Sequence, residues 1–225
     1  MRIRESLPMA LVFVCFVGAM CAPRLAGVSA QQETAAGNVL LNPTTLNEKA
    51  PDTFRASFDT TAGTFVVEVH RAWAPHGADR FYNLVKSGFY DGNRFYRVTP
   101  LMAVWGINGD PEVAKAWIGA RIPDDPTHVR SNTKGTVAFF QANKRTTQTF
   151  VNLADNSGVL DIQIVPFGEI VTGMDVAEKL YAGYGEEPPN GNGPDLNRFH
   201  EEGNAYLARE FPKLDYIKRA SIVSP

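Results

Sequence analysis

Two short runs of this sequence carry the side chains best suited to chemistry: Phe95-Tyr96-Arg97-Val98-Thr99-Pro100-Leu101-Met102 and Thr147-Gln148-Thr149-Phe150-Val151-Asn152. Each is apolar and rich in strand formers, and each holds one strong polar group, a guanidinium at Arg97 and a carboxamide at Gln148. Neither run supplies a nucleophile, an acid–base pair or a set of metal ligands. A fixed cation and an amide in an apolar groove suit a reaction that makes and breaks no covalent bond.

The other polar residues suggest less. His70, His76, His128 and His200 show no paired ligand spacing, so no metal site is expected. Asp124-Asp125 and Glu186-Glu187 read as solvated charges, and no carboxylate pair is placed for glycoside chemistry. The Gly and Pro residues of 185–194 form a loop, not a phosphate cradle, because the strand-to-helix Gly-x-x-x-x-Gly-Lys pattern is missing. Taken alone, an Arg in an alternating strand is a solvated or ion-paired surface group.

Residues 1–30 are set aside before any fold reasoning. Arg2 and Arg4 precede an apolar run from Leu7 to Ala22, and Val28-Ser29-Ala30 places small residues as a cleavage site requires. This is the order of a secretory signal peptide. Cleavage after Ala30 is favoured over a retained anchor because the run is short for a membrane span and ends at Pro23-Arg24. The segment holds three Arg and one Glu, so its removal takes the net charge from −2 to −4. With no basic run, nucleic acid and anionic membranes have no electrostatic footprint here. Cys15 and Cys21 both lie in the leader, leaving an exported chain, periplasmic or secreted, without thiol or disulfide. Its stability must come from an ordinary hydrophobic core, and the remaining length is ample for one domain.

Residues 31–52 are polar and aperiodic and read as a flexible lead to a single domain over 53–225. Alternating runs at 54–59 and 64–70 flank Thr60-Thr61-Ala62-Gly63 and predict a hairpin. Ala74 to Gly88, with Pro75 near its start and Ala78, Phe81, Leu84 and Val85 on one face, predicts an amphipathic helix. Strand-like runs follow at 93–98, 102–105, 135–140, 149–153 and 165–171, then a short helix over 174–181 and a last strand over 216–223. The pattern predicts a mostly β fold, an antiparallel sheet or barrel with helices over its openings. An insertion at about 184–212 precedes the last strand. It is a turn-rich loop, then a helix capped by Asp195, weakened at Gly203, with Leu196, Phe199, Tyr206 and Leu207 near one face. It is expected to brace the barrel.

From Phe54 to Val223 the order of motifs resembles the cyclophilin-type peptidyl-prolyl isomerases. Gly88-Phe89-Tyr90-Asp91-Gly92 is similar to the family's turn after its first helix, and Phe95-Tyr96-Arg97-Val98-Thr99-Pro100 to its F-x-R-x-x-P signature. Gly135–Phe139, Thr147-Gln148-Thr149-Phe150, Leu160-Asp161 and Phe167-Gly168-Glu169-Ile170-Val171-Thr172-Gly173-Met174 continue the match. Each piece is weak alone; in this order and spacing the set is specific. It departs where Leu101 replaces a Gly-Phe pair, where Val104 or Trp105 stands in place of the family's active-site Gln, and where the 140–145 loop is shortened. Val159 replaces a Trp, and Ile164 replaces the His of the proline pocket.

The resemblance implies a closed, eight-stranded antiparallel barrel capped by two helices, acting on proline-containing unfolded or partly folded chains. It implies a monomer with no cofactor, no metal and no membrane insertion once the leader is removed. Rotation about an X–Pro bond is slow because amide resonance sets a barrier of ~18–20 kcal/mol. The twisted transition state leaves a basic prolyl nitrogen, and a donor aimed there binds it better than either planar form. Arg97 takes that role, with Gln148 holding the carbonyl side or orienting Arg97. Met102, Phe140, Phe150, Leu160, Leu101 and Ile164 line the apolar slot. The alternative on the same fold is a non-catalytic module that holds proline-containing segments as a chaperone or assembly part, favoured by the missing Gln and His.

Overall fold

The computed structural model describes residues 39–140 and 144–223. The expected leader, the first part of the lead and residues 141–143 of the shortened loop lie outside these described residues.

Period-two alternation builds the first hairpin. Strands β1 (Thr53–Thr60) and β2 (Gly63–His70) pair antiparallel with Phe58 opposite Phe65. Their inward positions are buried while the alternate residues stay partly exposed. The remaining strands are β3 (Arg97–Val98), β4 (Met102–Trp105), β5 (Thr136–Phe139), β6 (Thr149–Asn152), β7 (Gly168–Thr172) and β8 (Ile217–Val223). They form one antiparallel sheet in the order β3-β4-β6-β5-β7-β2-β1-β8. The sheet curls so that its two edges approach each other. Among the described residues β3 and β8 do not pair as a ladder; the isolated bridge Arg94–Tyr216 joins their flanks. The architecture is thus a curled sheet whose edges meet through that bridge and through the hydrogen bonds Gly92 N–H to Ile217 O, Ile217 N–H to Asn93 O and Phe95 N–H to Asp215 O, without the continuous ladder expected of a closed barrel.

The concave side is filled by aromatic rings. Phe58, Phe65, Phe95 and Trp105 pack with centroids 5.1–6.5 Å apart, at distances where ring quadrupoles add to area burial. Helix α1 (Pro75–Lys86) closes one opening by inserting Phe81 between Phe58 and Phe167. Its N-terminal amides are satisfied from a distance: Asp125 accepts from the backbone N–H of His76 at 2.8 Å and of Gly77 at 2.9 Å. An anion suits a helix N-terminus, and Arg145 pairs with the same carboxylate at 2.9 Å. Asp125 is therefore a buried cap, not the solvated charge that its sequence setting suggests; neighbouring Asp124 also pairs with Arg145.

A second correction concerns the lead. From Val39 onward it is docked: Trp117 Nε1–H donates to Leu40 O, Asn83 bonds Glu48 in both directions, and Ala50 N–H donates to Asp79. Backbone groups that find partners on the body lose the freedom of a loose terminus. Unanticipated are α2 (Pro111–Trp117), started by Asp110 accepting from Glu112 N–H, and the single turn α3 (Ser157–Leu160). Helix α4 (Met174–Glu178) falls where expected.

Helix α5 (Leu196–Glu210) lies on the convex face of the sheet. Phe199, Tyr206 and Leu207 are buried in a cluster with Tyr96, Met102, Val104, Ala138 and Phe150. At Gly203 the chain turns out of helical geometry (φ 62°, ψ −148°), a region open to glycine alone. The turn lets Asn204 N–H donate to Gly109 O at 2.9 Å, and a Cβ at 203 would stand 2.2 Å from that same oxygen. The residue that weakens the helix in sequence is the one that fits it against α2. Phe199→Ala is expected to cost about 3 kcal/mol and lower Tm by on the order of 10 °C. Thermal unfolding followed by circular dichroism checks this; an unchanged midpoint would show that α5 does not brace the sheet.

Candidate active site

Strand alternation decides which residues share a face. Arg97 lies opposite Val104, Val104 opposite Phe150, and Phe150 opposite Ala138, so these side chains stand on the convex face. Val98, Ala103, Val151 and Val137 point to the concave core. Of the two residues that stand where the resemblance calls for Gln, Val104 occupies the site face, and Trp105 belongs to the inner core.

The structure brings most of the predicted site residues together. Phe150 is fully buried and Met102 nearly so, with Phe140, Leu160 and Ile164 packed against the same cluster. Phe140 meets Phe150 edge-to-face at 6.2 Å, and the Arg97 guanidinium lies 5.3 Å from the centre of the Phe140 ring. The Arg97 side chain keeps only 19% of its exposure. The cation therefore sits at the margin of an apolar cluster, where its interactions are less screened than in bulk water. Leu101 is the exception. It is 52% exposed at the β3–β4 turn, and its carbonyl oxygen accepts from Leu153 N–H and Asn156 Nδ2. The turn projects that side chain away from the cluster.

Gln148 is placed by a tight crossing. Gly106 (φ 111°) passes so close to the 147–148 backbone that a Cβ there would lie 2.3 Å from Thr147 O, and Thr147 Oγ1 donates to Gly106 O at 2.7 Å. The Gln148 Oε1 accepts from the Tyr96 hydroxyl at 2.6 Å. Burial, helped by the nearby Glu187 charge and opposed by Arg97, pushes the Tyr96 phenol above its usual range, so it remains a donor. With Oε1 held in this way, the amide N–H groups are the donors Gln148 has left. It is not the group that orients Arg97.

That group is Glu186, which the sequence pattern alone assigns to solvent. Arg97 Nη2 donates to Glu186 Oε1 at 2.8 Å, and Nε lies 2.7 Å from Oε2 in ion-pair contact, although its N–H does not point along that line. The pair spans 89 positions of sequence and joins the insertion loop to β3. No periodicity or local spacing announces such a contact. Tyr96 is the other residue without an assigned role in the sequence; its place inside the F-x-R motif was the available signal.

The apolar wall made by Leu160 and Ile164 hangs on a polar network below it. Asn132 donates to Asp161 Oδ1 through its backbone N–H (2.8 Å) and through Nδ2 (2.9 Å), and Nδ2 also reaches Ile164 O at 2.8 Å. Asn156 Nδ2 donates to Asn152 Oδ1 at 2.7 Å, tying α3 to β6. A cavity of about 220 Å³ adjoins Gln148, lined in part by Ile107, Trp117 and His200. Burial lowers the His200 pKa, and its Nδ1 has no hydrogen-bond partner among the described residues, so this histidine is neither satisfied nor fully exposed.

Burial by itself would raise the Asp161 pKa, but the Asn132 donors outweigh it and hold the carboxyl below its ordinary 3.8. The anchor is then at full strength above that ordinary value and is lost as pH falls through the lower folded value. Asp161→Ala leaves two N–H groups without their acceptor and is expected to lower Tm at neutral pH by about 2–4 °C, the shift for ~1 kcal/mol. The gap between variant and wild type should narrow in acid titrations monitored by fluorescence. A gap independent of pH would deny the carboxylate this role.

Residues 55–195 match the family described as cyclophilin-type peptidyl-prolyl cis-trans isomerase/CLD, which is more than half of the chain. The chain is 30% identical over 128 residues to a peptidyl-prolyl cis-trans isomerase of Acinetobacter baylyi, covering 54% of this chain and 68% of that protein. It is 26% identical over 134 residues to peptidyl-prolyl cis-trans isomerase B of Escherichia coli, covering 55% and 82%. The crystal structure of a cyclophilin-type isomerase from Cryptosporidium parvum superposes with a TM-score of 0.57 at 14% identity, covering 77% of this chain and 99% of that one. At that identity it shows the fold.

Proposed function

The chain belongs to the cyclophilin-type peptidyl-prolyl cis-trans isomerases, and from that premise we propose that it accelerates rotation about X–Pro bonds through Arg97. The observation carrying this reading is a guanidinium set against Phe140 at the margin of the Met102–Phe150–Leu160 cluster. A proline ring seated against the partly exposed Phe140, Leu160 and Ile164, with Phe150 and Met102 as the buried floor, presents its nitrogen to that donor, and the surrounding apolar side chains keep water from competing. Twisting the amide localises a lone pair on nitrogen, so an N–H donor there binds the transition state more strongly than the planar ground states. The amide N–H groups of Gln148 face the carbonyl side, with Tyr96 fixing which end of that amide is presented. Ile164 and Leu160 supply wall and shape but no polar contact through their side chains. No covalent intermediate and no cofactor enters this scheme.

A chain that only holds proline segments is the second reading, favoured by Val104 and Ile164 at positions where the family carries Gln and His. A protease-coupled assay on an X–Pro peptide separates the two. Arg97→Ala is expected to cut kcat/KM by about 10²–10³, the scale on which a directed transition-state donor acts. Peptide binding without turnover by the wild type would establish the module and reject the enzyme.

The domain is further proposed to work outside the cytoplasm on unfolded or partly folded chains. The support is the charged, apolar, small-residue order of residues 1–30 and the restriction of both cysteines to that stretch. Protein recovered from producing cells is expected to begin at Gln31 by N-terminal sequencing. An intact leader on protein in the soluble cytosolic fraction would reject export.

A further inference from the structure

Arg97 stands on a strand of two residues at the edge of the sheet, and its own neighbours give its charge no acceptor. Its cross-strand partner is Val104, which is fully buried and apolar, and the ring beneath it is Phe140. A flexible side chain in such a place sweeps through many rotamers, and a donor must be aimed to within a fraction of an ångström to favour a transition state. The aim is supplied from 89 positions away by Glu186, through the Nη2–Oε1 bond of 2.8 Å and the Nε–Oε2 contact of 2.7 Å. These contacts take one edge of the guanidinium and the Phe140 ring takes one face; the Nε–H is buried, and among the described residues Nη1 has no hydrogen-bond partner, which leaves it to donate to a ligand.

The loop that carries Glu186 is closed on itself. Gly193 N–H donates to Glu186 O at 2.7 Å, Asn192 N–H to Tyr184 O at 3.2 Å, and Asn190 N–H to Glu187 O at 3.1 Å. Its stem is held by Tyr184, which packs edge-to-face on Tyr181 at 5.1 Å and on Phe211 at 5.0 Å. Phe211 follows α5 and meets Tyr206 of the buried cluster at 5.5 Å. The carboxylate is thus presented by an anchored scaffold that continues into the convex-face core. A lid that opens to release the cation would not be tied in this way.

We propose that Glu186 is the positioning residue of this enzyme, fixing the Arg97 guanidinium so that Nη1 meets the prolyl nitrogen. The proposal rests on the isomerase reading above. Glu186 touches no reacting atom; it acts through Arg97 alone. Glu186→Ala should lower kcat by between about tenfold and a hundredfold with little change in KM, because the lost interaction is one realised in the transition state. Glu186→Gln, which keeps an oxygen acceptor at the same reach, should recover most of that loss. Both are measured by NMR exchange on a saturating X–Pro peptide, with Tm recorded to exclude unfolding. A Glu186→Ala variant as fast as wild type, or faster, overturns the proposal, the faster case marking the carboxylate as a competitor for the donor. Equal losses in Glu186→Ala and Glu186→Gln also overturn it, since the acceptor would then not be what matters. A wild type without turnover, or an Arg97→Ala variant that keeps it, brings down the isomerase reading and this proposal together. Turnover that needs Arg97 but not Glu186 rejects the proposal alone.

Discussion

The segment β4-β6-β5 is buried on both faces, and the rest of the molecule is arranged around that constraint. Its concave side belongs to the ring-filled core, and its convex side is covered by α5 and the loop leading to it. Strands of four residues whose side chains are all buried cannot alternate between core and water. They alternate between two apolar environments, as strands covered on both sides do. The site lies where the second cover stops short, so that Phe140 and Leu160 remain partly exposed beside the Arg97 cation, over the buried Phe150 and Met102. A protein that left the convex face bare would expose a broad apolar sheet to solvent, with the liability such patches carry.

Holding polar groups at the edge of that apolar layer needs partners from outside it. Tyr96 reaches across to Gln148, Glu186 reaches in to Arg97, and Asn132 secures the turn that carries Leu160 and Ile164. In each case the polar group that does the holding has little freedom of its own. The Tyr96 phenol is buried and stays protonated, Asp161 is kept ionised by its donors, and Glu186 sits on a loop closed by its own backbone bonds. Such groups lose little entropy when a ligand arrives, which is what a preorganised site requires.

What could be read from the sequence was what is local. The 54–70 hairpin, the Pro75-to-Lys86 helix and the convex-face partners Phe150 and Met102 follow from period, punctuation and motif spacing. The features that escaped depend on contacts across the chain. Asp125 looks like one of two adjacent surface acids until the fold brings the α1 N-terminus to it. Val39 to Ala50 look like a loose lead because the groups that dock them, the Asp79 acceptor on α1 and the Trp117 donor on α2, are distant in sequence. Leu101 seemed a pocket residue from its place in the motif, whereas the turn over 99–101 carries it outward. Glu186 lies in a stretch with no periodicity, so only its folded neighbour gives it meaning.

The replacement of a polar family residue by Val104 is the point on which these threads meet. Position 104 is fully buried in the cluster that α5 helps to build, with Phe199 meeting Tyr96 at 5.9 Å within it. A carboxamide at 104 would have to satisfy its donors and acceptor among apolar neighbours, and an unpaired buried amide costs about 1–3 kcal/mol on protein scales. Once the convex face is covered by an apolar helix, valine is the cheaper occupant of the sheet, and the acceptor for Arg97 has to arrive from a segment at the border of that cover. The loop between Tyr184 and Pro194 is that segment. The segment from Tyr184 to Glu210 thus has two effects at once: it makes a polar residue at 104 unfavourable, and it brings the Glu186 carboxylate to Arg97.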